Sequence, residues 1–153
     1  MTPAIELLKK QKVPHDVLSY QHDTSTTGYG QEAVEKLNLA REQVFKTIVL
    51  ETSEGQLIVA VTPVSQQVNL KQLAKLCSSK KIVMANALKV QAATGYILGG
   101  VSPLGQKKRL TTFIHSSARA FNTVYVSAGR RGLEVALSPT DLKVQTRATY
   151  GDF

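Results

Sequence analysis

The hydrophobic positions of this chain alternate between helical and strand spacing. Thr2-Pro3 reads as an N-cap followed by proline at the first helical position, and Ile5, Leu7 and Leu8 then supply an apolar side before Pro14. Val17 to Tyr20 reads as a short strand. Gln21 to Gly30 is polar and loop-like, and Ala33, Val34 and Leu37 place a helix over Gln31 to Leu39. Val44 to Leu50 is the first strong strand; Glu54-Gly55 turns the chain and Leu57 to Pro63 returns as its hairpin partner. Asn69 can cap a helix with Leu70, Leu73, Ala74 and Cys77 on its apolar side. Ile82-Val83-Met84 is a short strand, and Ala87 to Thr94 is a helix stopped at Gly95. Further strands are expected at Thr111 to His115, Thr123 to Val126 and Leu133 to Leu137, the last two joined by a Gly-Arg-Arg-Gly turn. Ser138-Pro139 repeats the cap-plus-proline helix start.

Strands and helices mix without strict βαβ alternation, and no repeat, linker or low-complexity tract interrupts them. The pattern predicts one α+β (mixed α/β) domain over residues 1–153, with a curved mixed β-sheet or open barrel flanked by helices.

Charge adds a second layer. From Gly55 to Leu133, 79 residues carry eleven Lys or Arg and no Asp or Glu. Residues 1–54 hold eight acids and six bases, and residues 134–153 hold three acids and two bases, so the middle supplies the entire +8 excess. A folded surface of one sign suits a polyanion such as nucleic acid. It also excludes a paired-carboxylate mechanism inside that stretch. No apolar run approaches membrane-spanning length, and the N-terminus lacks the basic start and apolar core of a signal peptide. The single cysteine, Cys77, cannot form an internal disulfide, so a cytoplasmic protein is expected.

Three segments stand out chemically. In Gly99-Gly100-Val101-Ser102-Pro103-Leu104-Gly105, paired glycines allow close backbone approach, and their N–H groups can meet an anion or a developing oxyanion; the same residues also fit a surface turn. Gln106-Lys107-Lys108-Arg109 follows and can hold phosphates, although the P-loop ending is missing. Lys46 shares a strand face with Val44 and Ile48, so it either snorkels at a sheet edge or stands in a cleft. Ser127 to Gly132 presents Arg130 and Arg131 on a tight turn, as solvated charges or as phosphate forks. Glu134 is the first carboxylate after the gap and can neutralise an arginine or contact a substrate amine. His15, His22 and His115 have no ligand spacing for a metal site. Cys77 reads as a buried structural thiol, and no serine lies in a Gly-x-Ser-x-Gly elbow. A hydrolase built on this chain lacks an obvious nucleophile of its own.

Several of these segments, in order, resemble the YbaK family of Cys-tRNA(Pro)/Cys-tRNA(Cys) deacylases, relatives of the editing domain of bacterial prolyl-tRNA synthetase. The resemblance is carried by Met1-Thr2-Pro3-Ala4, Phe45-Lys46-Thr47, Thr62-Pro63, Lys80-Lys81, Thr94-Gly95-Tyr96, Gly99 to Lys108 and Tyr125 to Leu133, nearly the full chain. It departs from the family at residues 24–31, where Thr-Ser-Thr-Thr-Gly-Tyr-Gly-Gln stands near a usual Phe-Gly-Asp-Glu, and after Leu142, where the expected helix is missing.

The resemblance implies an aminoacyl-tRNA deacylase with no cofactor. By resemblance Lys46 and Gly99 would be catalytic, and on physical grounds the backbone N–H groups of Gly99, Gly100 and Val101 are the candidates to hold the oxyanion. Tyr20, Ser127 and Glu134 would line the substrate pocket. Lys107, Lys108, Arg109, Arg130 and Arg131 would engage tRNA phosphates. The substrate cysteine would attack its own ester, and prolyl-tRNA synthetase would be a companion. Two alternatives remain: editing of another amino acid such as alanine, with water as nucleophile, and a non-catalytic RNA-binding module.

Overall fold

The computed structural model describes residues 1–153 as a mixed α+β fold. In chain order the elements are α1 (Pro3–Lys10), β1 (Asp16–Ser19), α2 (Tyr29–Leu37), β2 (Phe45–Thr52), β3 (Leu57–Pro63), α3 (Leu70–Leu76), β4 (Ile82–Met84), α4 (Ala87–Thr94), β5 (Thr111–His115), β6 (Val124–Arg130), β7 (Leu133–Leu137), α5 (Pro139–Thr146) and β8 (Thr149–Gly151). Short 3₁₀ turns lie at Arg41–Gln43 and Ser116–Ala120.

The strands form two sheets. One is three-stranded and antiparallel, in the order β1-β7-β6; the other is five-stranded and mixed, in the order β4-β2-β3-β5-β8. β3 and β5 run parallel, as do β5 and β8. The sheets meet through a single bridge between Val44 and Tyr125, so the strands curve around a core without closing a barrel.

Strand alternation divides the apolar residues into two clusters. Val49, Val59 and Val61 face the main core with Val126, Val135 and Leu137 of the smaller sheet and Ala4, Ile5 and Leu8 of α1. Leu50, Ile58 and Ala60 face the other way and pack on Leu73 and Ala74 of α3, with Phe113 and Phe153. β3 is buried on both faces, which explains its unbroken Leu-Ile-Val-Ala-Val run.

The helix starts follow their caps. Thr2, Asn69 and Ser138 accept from the N–H groups of Ile5, Gln72 and Asp141, and Gly95 ends α4 in the left-handed region. Three expectations change. α5 continues past Leu142 to Thr146, and the tail then adds β8 to the sheet edge, anchored by Phe153 in the second cluster. β6 runs on to Arg130 through a bulge between Ser127 and Arg130, leaving Arg131-Gly132 as the turn. Leu70 is exposed, because α3 turns Leu73 and Ala74 rather than Leu70 onto the sheet.

Candidate active site

A cleft of about 730 Å³ opens where the start of β2, the start of α2, the β6–β7 hairpin and the glycine loop converge. That volume lies within the range of small-ligand sites. Val44 to Ile48 form its floor and Tyr29 stands at one wall; Gly99 and Val101 line it from the loop, and Ser127, Arg130, Arg131 and Glu134 from the hairpin. The β6 bulge, in which Gly129 adopts φ +110°, lets Ser127 and Arg130 both reach this space.

Lys46 is half-buried in the cleft, opposite Thr62 in the β2–β3 ladder. No hydrogen bond or ion pair engages its ammonium; the three ion pairs of the molecule are His22–Glu32, Lys36–Glu32 and Lys89–Glu51. A cation held in a cleft without a protein partner is available to an incoming anion or polarised carbonyl.

The glycine loop divides its donors. The Gly100 N–H donates to Ile97 O at 3.0 Å and Gly100 stands outside the cleft lining, whereas the N–H groups of Gly99 and Val101 have no protein acceptor and both residues line the cleft. Gly99 requires its φ of +87°.

Glu134 sits opposite Ser127 in the ladder and is 7 % exposed, with neither hydrogen bond nor counter-ion. Burial pushes its carboxyl up to about 8, so near neutrality it is largely an uncharged acid. Tyr20 lies nearby. Its phenol is pushed up to about 12, first by burial and then by the Glu134 carboxylate, while the Gly132 main chain pulls the other way. It remains a neutral hydroxyl at any working pH. The Ser127 hydroxyl accepts from the Gly129 N–H at 3.2 Å, and no imidazole or thiol lines the cleft.

The five basic residues proposed for phosphates separate in space. Arg130 and Arg131 line the cleft; Lys107, Lys108 and Arg109 are exposed and lie outside it, with the first two tied to the end of α4 by main-chain bonds to Thr94 O and Ala93 O at 3.0 and 2.9 Å. Arg130 is exposed and unpartnered. The Arg131 guanidinium stacks over the Tyr29 ring at 4.3 Å and donates to Leu98 O at 2.8 Å.

Tyr29, Arg41 and Thr47 are among the lining residues that the sequence did not mark as site residues. Tyr29 lay within a stretch that read as loop, although its place between Gly28 and Gly30 at a helix start was a usable signal. Arg41 carried no signal beyond its charge. The Thr47 hydroxyl oxygen is buried without a partner beside Lys46, which only the folded strand reveals. The polar loop before α2 is held by Glu32, whose carboxylate accepts from the Asp23 N–H at 2.8 Å and pairs with His22 Nδ1 at 2.7 Å and Lys36 Nζ at 3.0 Å. Burial alone would raise its pKa; these three partners outweigh it and bring it to about 2. Cys77 stands apart, donating to Leu73 O beside the second core cluster.

The model of the aminoacyl-tRNA editing domain matches residues 24–144. The chain belongs to the aminoacyl-tRNA editing domain family. This editing domain is 34 % identical over 152 residues to EbsC of Enterococcus faecalis, named a candidate Cys-tRNA(Pro)/Cys-tRNA(Cys) deacylase, covering 99 % of this chain and 92 % of that one. A crystal structure described as a candidate trans-editing enzyme for prolyl-tRNA synthetase superposes with a TM-score of 0.86 at 19 % identity, covering 98 % of this chain and 93 % of that one. The hypothetical protein APE2540 superposes with a TM-score of 0.86 at 24 % identity, covering 98 % and 97 %. These structural likenesses establish the shared fold. No helix of the editing domain is long and apolar enough to cross a membrane.

Proposed function

We propose that this editing domain clears cysteine from mischarged Cys-tRNA(Pro), and from Cys-tRNA(Cys), using the substrate's own thiol. The observation that supports the reading is the composition of the cleft: Lys46, whose ammonium has no partner, lines it together with Gly99 and Val101, whose N–H groups have no protein acceptor, and no histidine or cysteine lines it to build a nucleophile. EbsC, whose name specifies this substrate pair, supports it.

In this mechanism the cysteine sulfur attacks its own ester carbonyl carbon. The carbonyl electrons move onto oxygen, and the Gly99 and Val101 N–H groups hold that oxyanion. Collapse breaks the bond to the ribose oxygen, which takes the thiol proton and leaves with the tRNA. Water then opens the four-membered thiolactone to free cysteine. An intramolecular nucleophile brings an effective molarity on the order of 10⁵ M or more, so the protein need only fold the aminoacyl group into a cyclising pose.

Lys46 draws the ester or terminal phosphate into place. Glu134 and Tyr20 receive the α-amino group; an ammonium beside Glu134 favours the carboxylate and restores the charge that burial suppresses. Arg130 and the exposed Lys107, Lys108 and Arg109 meet phosphates without reading sequence. Selection among tRNAs then falls to a companion such as prolyl-tRNA synthetase, in the cytoplasm where both meet.

A panel of Cys-, Ala- and Pro-tRNA(Pro) tests the reading. Rapid release from Cys-tRNA(Pro) alone is expected. Release from Ala-tRNA(Pro) at a comparable rate would replace the thiol mechanism with water attack. Binding of all three without release would leave an RNA-binding module.

A further inference from the structure

The two basic residues of the β6–β7 turn are adjacent in sequence and differently employed. Arg130 is exposed, and its guanidinium makes no hydrogen bond or ion pair. Arg131 is committed on two sides: its guanidinium lies 4.3 Å from the centre of the Tyr29 ring and donates to Leu98 O at 2.8 Å. The glycine loop is pressed against the same group. A Cβ on Gly99 would stand 2.5 Å from Arg131 Nε and 2.6 Å from Tyr29 Cε2. Three elements far apart in the chain therefore meet on one planar cation: the start of α2, the hairpin turn and the glycine loop.

The bond to Leu98 O has a stereochemical consequence. A peptide unit is planar and trans, so its N–H points opposite to its C=O. Leu98 O and the Gly99 N–H belong to the same peptide unit. Holding the carbonyl toward Arg131 sets the direction of the Gly99 N–H on the opposite side of the peptide; Gly99 lines the cleft, and this N–H has no protein acceptor.

We infer that Arg131 is a positioning residue that orients the Leu98–Gly99 peptide so that the Gly99 N–H serves as an oxyanion donor, while Arg130 alone of the pair takes a tRNA phosphate. This division of labour rests on the deacylase reading above. A phosphate on Arg131 would compete for the fork that holds Leu98 O, and would release the peptide that the reaction needs.

Arg131→Lys separates the roles. Lysine keeps the positive charge that a phosphate contact needs, but it is shorter and has no planar fork to stack on Tyr29 while donating to Leu98 O. Steady-state cleavage of Cys-tRNA(Pro) and binding of uncharged tRNA(Pro) over a salt series are measured for the wild type, Arg131→Ala, Arg131→Lys and Arg130→Ala. Arg131→Ala and Arg131→Lys are both expected to lose about tenfold or more in kcat with KM nearly unchanged. Both are expected to keep the wild-type salt slope, whereas Arg130→Ala should reduce it by about 1. A near-wild-type Arg131→Lys, with Arg131→Ala impaired through KM and its slope reduced by about 1, would overturn the inference. A wild type that cleaves no aminoacyl-tRNA would remove the deacylase reading instead. In that event the Gly99 amide resonance of the free protein decides: displacement in both Arg131 variants supports positioning, and no displacement in either refutes it.

Discussion

Gly100 lies directly on the main chain of Arg130: a Cβ at Gly100 would stand 2.8 Å from the Arg130 Cα and 3.2 Å from the Arg131 nitrogen. The glycine loop and the arginine turn, the two most unusual segments of the chain, are thus packing partners. Backbone cannot swing aside as a flexible side chain can. Gly100→Ala is expected to cost about 1–3 kcal/mol, measured by urea unfolding. It should also lower deacylation by displacing Gly99 and Val101.

Lys46→Ala removes the partnerless cation from the cleft without disturbing any hydrogen bond or ion pair. Deacylation should fall about 10²-fold or more, with the far-UV circular dichroism and melting temperature nearly unchanged. A folded, fully active variant would remove Lys46 from the chemistry.

Glu134 gives a pH signature. Its folded pKa, about 8, lies above the ordinary carboxyl value, so the folded state binds this proton more tightly than the unfolded chain. The group's stabilising protonation is complete below the unfolded value of about 4.5 and is lost as pH rises through 8. Glu134→Gln mimics the protonated acid permanently. Urea unfolding of the variant and the wild type at pH 5 and pH 8 should show the gap moving in favour of the variant by up to about 3 kcal/mol. Recognition of the α-amino group should weaken in the same variant.

Glu32 has the opposite sign. Its folded pKa lies near 2, against burial, because the Asp23 N–H, His22 and Lys36 hold the carboxylate. The stability it contributes is present above about pH 4.5 and disappears as pH falls toward 2. Glu32→Gln should melt below the wild type at pH 7, and the difference should close by pH 2–3. Its deacylation should also drop, because the loop that leads into Tyr29 at the start of α2 loses its anchor.

Much of this arrangement was legible in local chemistry. Thr2-Pro3 and Ser138-Pro139 announced α1 and α5 because capping and proline geometry act within one turn. Alternation set Lys46 apart from Phe45 and Thr47, yet all of Val44 to Ile48 line the cleft, so strand period alone did not delimit its floor. What stayed hidden depends on distant partners. Thr149-Tyr150-Gly151 is too short to signal a strand, and becomes one by pairing with β5 while Phe153 buries beside α3. The use of Gly100 N–H by Ile97 O, and of Arg131 by Tyr29 and Leu98, follows from how loops from separate parts of the chain are brought together. Sequence could mark the glycines and arginines as unusual; only the fold assigns each N–H its acceptor.

Cys77 supplies a contrast. Its thiol donates to Leu73 O, and burial pushes its pKa up, both unfavourable to a nucleophile. Cys77→Ser should leave kcat and KM for Cys-tRNA(Pro) within about twofold of wild type, measured under the same conditions as the wild-type protein.

The exchange of one atom in the substrate tests the central claim most directly. Single-turnover deacylation of Cys-tRNA(Pro) and Ser-tRNA(Pro) compares a thiol with a hydroxyl in the same cleft, on the same tRNA. Substrate-assisted attack predicts fast release of cysteine and near-background release of serine. Equal rates for the two esters would contradict it and assign the attack to water.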